Sequence, residues 1–117
     1  MQDNKLLFSK GLKYFNDNFF WEAHEAWEDV WLDCNNSNDK LYIQGLIQAA
    51  AAFYHVLNSN KVGFERLSRL ALEKFSKSTT ISYQNITSDN LIQSLNEFRN
   101  GLDASNHQFD LSKIPKL

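Results

Sequence analysis

Apolar residues recur at helical spacing in five stretches of this chain, and clusters of Asn, Asp and Ser separate the first four of them. Leu6, Leu7, Lys10, Tyr14 and Phe15 fall near one face of a first helix over Asp3 to Phe15. Asn16-Asp17-Asn18 stops it, because short polar side chains compete for the backbone and favour turns. A second helix begins near Phe19 and ends before Asn35-Asn36-Ser37-Asn38. Ser37 or Asn38 caps a third, from about Asp39 to Leu57, with Asp39 at its positive end. After Asn58-Ser59-Asn60 a fourth helix runs to about Ser76, with Leu67, Leu70 and Ala71 inward and Glu65, Arg66, Arg69 and Lys77 in water. Ser76 to Ser88 reads as a packed loop, since Ile81, Tyr83 and Ile86 suit a strand that has no obvious partner. Thr87 or Ser88 caps a fifth helix to about Leu102, carrying Leu91, Leu95, Phe98 and Leu102, and an extended tail follows through Ile114-Pro115. The expectation is an all-α fold, a compact bundle of about five helices in antiparallel hairpins.

Composition agrees with helices: 14% of residues are aromatic, nine of them Phe, against four Gly and one Pro. A length of 117 residues suits a single helical domain over 1–117. The formal charge is −2 and the basic residues are scattered, so no nucleic-acid footprint is expected. No membrane partner is expected either: the most apolar stretch, Leu46 to Leu57, is broken by Gln48 and His55 and falls short of the roughly 20 apolar residues that cross a bilayer. The N-terminus lacks the apolar core of a signal peptide, and Cys34 stands alone, more a small core residue than a nucleophile. These features predict a cytoplasmic protein.

The chemistry concentrates between Phe20 and Asp33, which hold all three tryptophans, one histidine and five carboxylates. Phe20, Ala23, Trp27, Val30, Trp31 and Cys34 form an apolar arc, with Glu22, Asp29 and Asp33 opposite in solvent. His24 lies at the edge of that arc. Glu28, four residues on, shares a turn with His24 and is expected to be held inside, among Phe20, Trp21, Trp31 and Leu32.

The third helix is apolar nearly all round except for Gln44, Gln48 and His55, which project to one stripe beside Ala51 and Ala52. Buried polar groups need partners, so this stripe is expected to face His24 and Glu28, with Gly45 permitting close approach of another helix. Three readings of that interior follow. It is a hydrogen-bond network with a purely structural role. It is a pocket in which Trp21, His24, Glu25, Glu28, Gln44, Gln48 and His55 line the site of a small polar ligand. Or it is a divalent metal site of His24, Glu28 and His55, with Glu25 activating a water for hydrolysis. The run from His24 to Glu28 is similar to the zincin motif His-Glu-x-x-His, but with Glu28 replacing the second histidine. A protein-interaction module is a further class, for which Phe19 and Trp21, outside the main arc, are the exposed aromatics to watch. His107, in the tail, is expected in solvent and uninvolved.

Phe15-Asn16, Phe20-Trp21-Glu22-Ala23-His24-Glu25 with Trp27-Glu28 and Trp31, Gln44-Gly45-Leu46-Ile47-Gln48-Ala49-Ala50, His55, and Asn60 with Gly63 occur in an order and spacing that resemble the family of small helical proteins catalogued as domain of unknown function 309. The resemblance covers about residues 6–75. It implies an all-helical fold and carries no reaction with it. Phe64 stands where the resemblance leads one to expect a small residue, and Lys40 where arginine is usual.

Overall fold

The computed structural model describes residues 4–102 and 108–117; His107 lies outside them. Five helices follow in order: α1 (Asn4–Asn16), α2 (Phe20–Leu32), α3 (Ser37–Leu57), α4 (Lys61–Lys77) and α5 (Asp89–Asn100), with a two-stranded hairpin of β1 (Ser82–Tyr83) and β2 (Ile86–Thr87) before α5. The fold is all-α apart from that hairpin. The central α3 packs against both α2 and α4. One hydrophobic cluster draws on all five helices and on Ile114 of the tail.

The turns between α1 and α2 and between α3 and α4 are built alike. Each chain reversal passes through a left-handed residue, Asn18 (φ 64°) or Ser59 (φ 55°). In each, the next amide reaches back to a carbonyl five residues earlier: Phe19 N–H to Tyr14 O and Asn60 N–H to His55 O, both 2.8 Å. This is the Schellman closure, and Asn and Ser tolerate it where a branched side chain would not. The helices that follow differ in their caps: α2 starts from Phe19 without a side-chain cap, whereas α4 is capped by Asn60, whose Oδ1 accepts from Gly63 N–H, and α3 by Asn36, whose Oδ1 accepts from Asp39 N–H, each 2.9 Å. The cap of α3 is therefore Asn36, ahead of the expected Ser37 or Asn38.

Two expectations about packing are corrected, for α1 and for α4. The inner face of α1 is Phe8, Gly11 and Phe15, while Leu6 stays 69% exposed. Gly11 leaves room for the indole of Trp27, which no apolarity count registers. On α4 the buried residues are Phe64, Ser68, Ala71 and Phe75; Leu67 and Leu70 sit at the margin. Ser68 is tolerated inside because Arg99 Nη1 of α5 donates to its Oγ and to Glu65 O, both at 2.8 Å. At Gly45 the close neighbour is a ring: a Cβ there would lie 2.6 Å from Phe75 of α4.

The stretch from 76 to 88 is not a loop throughout. Its strand finds a partner in itself, pairing Ser82 with Thr87 and Tyr83 with Ile86 across Gln84 and Asn85, both left-handed. Two consecutive left-handed residues match the twist of a tight hairpin. Tyr42 Oη donates to Ile86 O at 2.8 Å, and Tyr83 packs edge-on to Phe8, which ties the hairpin to the core. The tail is likewise structured. Leu111–Lys113 make a 3₁₀ turn, Ile114 is buried, and Leu117 is clasped by the side chain of Asn16.

Candidate functional site

His24 and Glu28 occupy successive turns of α2, and His24 Nε2 lies 2.9 Å from Glu28 Oε1. Their burial is unequal. The imidazole is 19% exposed and the carboxylate 49%, so Glu28 reaches outward along the helix flank and is not held inside among aromatic rings. Helix geometry explains the correction: the wheel sets Glu28 beside the apolar arc, while its long stem carries the charge to water. The indole of Trp21 stacks on His24 at 5.0 Å and 20°, and leans on Tyr54 of α3 at 5.5 Å. Trp21 is thus a half-exposed cover over the imidazole.

A groove of about 400 Å³ runs between α2 and α3, lined by His24, Glu28, Trp31, Leu32, Gln44, Ile47 and Gln48. The two helices bring together four of the sequence-predicted residues: His24, Glu28, Gln44 and Gln48. Trp31, Leu32 and Ile47 complete the lining, and Lys40 sits with its Nζ 4.4 Å over the Trp31 ring. Sequence reasoning assigned Trp31 to the core arc. Its position seven residues after His24, on the same stripe of the helix, was the signal for its place in the groove.

Three polar atoms of the groove residues are buried without a hydrogen-bond partner: His24 Nδ1, Trp31 Nε1 and Gln48 Oε1. The contact with the Glu28 carboxylate calls for a proton on His24 Nε2, and in that tautomer of the imidazole Nδ1 is the acceptor. Gln48 Oε1 is also an acceptor, and Trp31 Nε1 is a donor. Native interiors leave few such groups unmet.

His55 is elsewhere. It lies in the last turn of α3, with Nδ1 3.3 Å from Asn60 Nδ2 and its ring so close to Gly63 that a Cβ there would come within 2.6 Å. Gln48 and His55 share an angle on the wheel but are separated along the axis by about 10 Å, which the projection discards. Glu25 lines a second depression, between α1 and α2, with Lys10, Tyr14, Glu22 and Asp29, and Glu28 lines both. His24, Glu28 and His55 are therefore not assembled as a metal triad, and Glu25 does not line the α2–α3 groove. Among the described residues no group of three His, Cys, Asp or Glu side chains is arranged to hold a metal ion. Nor is any described helix long and apolar enough to cross a membrane. Phe19 and Trp21 remain 54% and 49% exposed.

The family model described as domain of unknown function (DUF309) matches residues 8–67, from α1 into α4, and the chain belongs to that family. No curated protein and no solved structure matches the chain. The matched segment contains every residue of the α2–α3 groove.

Proposed function

We propose that this DUF309 protein binds a small polar molecule in the groove between α2 and α3. The observation that carries the reading is the coincidence of three unpartnered polar atoms, His24 Nδ1, Trp31 Nε1 and Gln48 Oε1, on residues that line one groove. A purely structural network would pair these groups with one another, because each buried polar atom left unmet costs about 1–3 kcal/mol. A molecule offering hydrogen-bond donors to the two acceptors and an acceptor to the indole N–H offsets that cost on binding. The volume, about 400 Å³, suits a small metabolite. The stacked Trp21 and the Glu28 contact hold the imidazole in one orientation.

The test is a screen of small polar compounds by thermal shift, followed by titration calorimetry on wild type and on Gln48→Leu and Trp31→Phe. Compounds that raise the melting temperature of the wild type are expected to lose that effect in both variants. Binding that survives both substitutions in folded protein places the ligand elsewhere and ends the proposal.

A further inference from the structure

Two opposite charges stand along the groove: Glu28 lines it, and Lys40, outside its lining, sits over the ring of Trp31, which does. α2 and α3 run antiparallel, as the contacts of Lys40 with Trp31 at one end and of Tyr54 with Trp21 at the other require. The end near the α2–α3 turn offers the Lys40 ammonium and the unpartnered Trp31 N–H, a cation and a donor. The other end offers the half-exposed Glu28 carboxylate with the acceptors His24 Nδ1 and Gln48 Oε1. Gln44 lies between them on α3.

From this polarity we infer that the ligand is a linear zwitterion, its carboxylate at Lys40 and Trp31 and its ammonium at Glu28, His24 and Gln48. The inference rests on the binding reading above and narrows it. A simple cation meets repulsion from Lys40, and a simple anion meets it from Glu28. A neutral polar molecule satisfies the orphan atoms and leaves both charges without a partner in the ligand. Length is constrained as well. Glu28 and Trp31 are three residues apart, about 4.5 Å along α2, and Lys40 and Gln48 are eight apart, about 12 Å along α3. An α-amino acid, with both charged groups on one carbon, bridges an interval of about 4.5 Å but not one of about 12 Å. An ω-amino acid or a dipeptide spans an interval between these two.

The experiment is titration calorimetry of the full chain with γ-aminobutyrate, ε-aminocaproate and glycylglycine, with glycine as the short control, and with the N-acetyl and methyl-ester derivatives of each longer probe. At least one of the longer zwitterions is expected to bind about tenfold or more tighter than glycine and than both of its singly charged derivatives. Lys40→Gln should abolish the preference over the ester, and Glu28→Gln the preference over the N-acetyl form. Both positions retain a polar side chain, and circular dichroism checks that the variants are folded. Equal binding of zwitterions and derivatives, lost in Gln48→Leu, overturns the charge assignment while the binding reading stands. Failure of all three zwitterions up to about 10 mM overturns the inference outright. If neutral compounds also fail to bind, the binding reading falls with it.

Discussion

Gly11 of α1 faces the indole of Trp27 on α2 so closely that a Cβ at residue 11 would collide with the ring. The same indole donates to Phe8 O at 3.2 Å and stacks against Phe8 and Phe15. Helix α2, which carries His24 and Glu28, is thereby held to α1 by one fully buried tryptophan seated over a glycine.

Gly11→Ala is accordingly expected to destabilise the protein. The gain in helix propensity, about 1 kcal/mol, is outweighed by overpacking of about 1–3 kcal/mol against a ring that has no room to move. Urea unfolding should show a lower midpoint for Gly11→Ala, and the loss should shrink when Trp27→Phe is already present. A stabilised single variant would show that the indole does not hold this position.

Glu28→Ala is expected to leave stability nearly intact, with a loss of about 1 kcal/mol or less, because the His24–Glu28 pair is half open to water. On the proposed reading its effect falls on ligand binding. Denaturation midpoints close to wild type, together with loss of binding in the groove, are the expected pair of results; a loss of several kcal/mol would return Glu28 to a structural role.

Tyr42 makes a prediction about alkaline pH. Burial is the main cause that raises its phenol above the ordinary value of 10.0. The folded state therefore keeps the proton after the unfolded chain has released it. Stability from this group is fully present below pH 10 and is lost as pH rises through the folded-state value. Tyr42→Phe should cost about 0.5–1.5 kcal/mol near neutrality, through the lost bond to Ile86 O, and should flatten the decline above pH 10. Urea titrations from pH 7 to 11 on both proteins measure this; identical alkaline slopes would assign the decline to other groups.

Asn16 predicts the behaviour of the tail. Its amide donates to Leu117 O at 2.9 Å and accepts from Leu117 N–H at 2.7 Å, while Lys116 Nζ reaches the backbone carbonyl of Asn16. Asn16→Ala should cost about 1–2 kcal/mol and speed hydrogen exchange at the Leu117 amide. Unchanged exchange there would mean the buried Ile114 alone anchors the segment.

Helix number, helix order and the positions of the turns were legible in the sequence. They depend on local chemistry: apolar residues at a helical period, and Asn and Ser at the sites where the backbone turns left-handed. The pairing of His24 with Glu28 was legible for the same reason, since four residues along one helix fix a distance without reference to the rest of the chain. The family resemblance, too, is carried by residues close together in sequence.

What only the tertiary structure decided is whatever depends on axial offset and on depth. Wheel angles put His55 with Gln44 and Gln48, yet the rise of α3 carries it away from them to Gly63 and Asn60. The zincin-like run grouped Glu25 with His24, but the two point about 100° apart around α2, and Glu25 lines the depression beside α1 with Lys10. The hairpin at Ser82–Thr87 needed Gln84 and Asn85 to turn left-handed together, a choice that the contacts of Tyr42 and Tyr83 support. The sequence by itself determined the elements and the polar stripes they bear. The packing of α3 between α2 and α4 decided which stripes meet, because burial is a property of neighbours that a single helix does not contain.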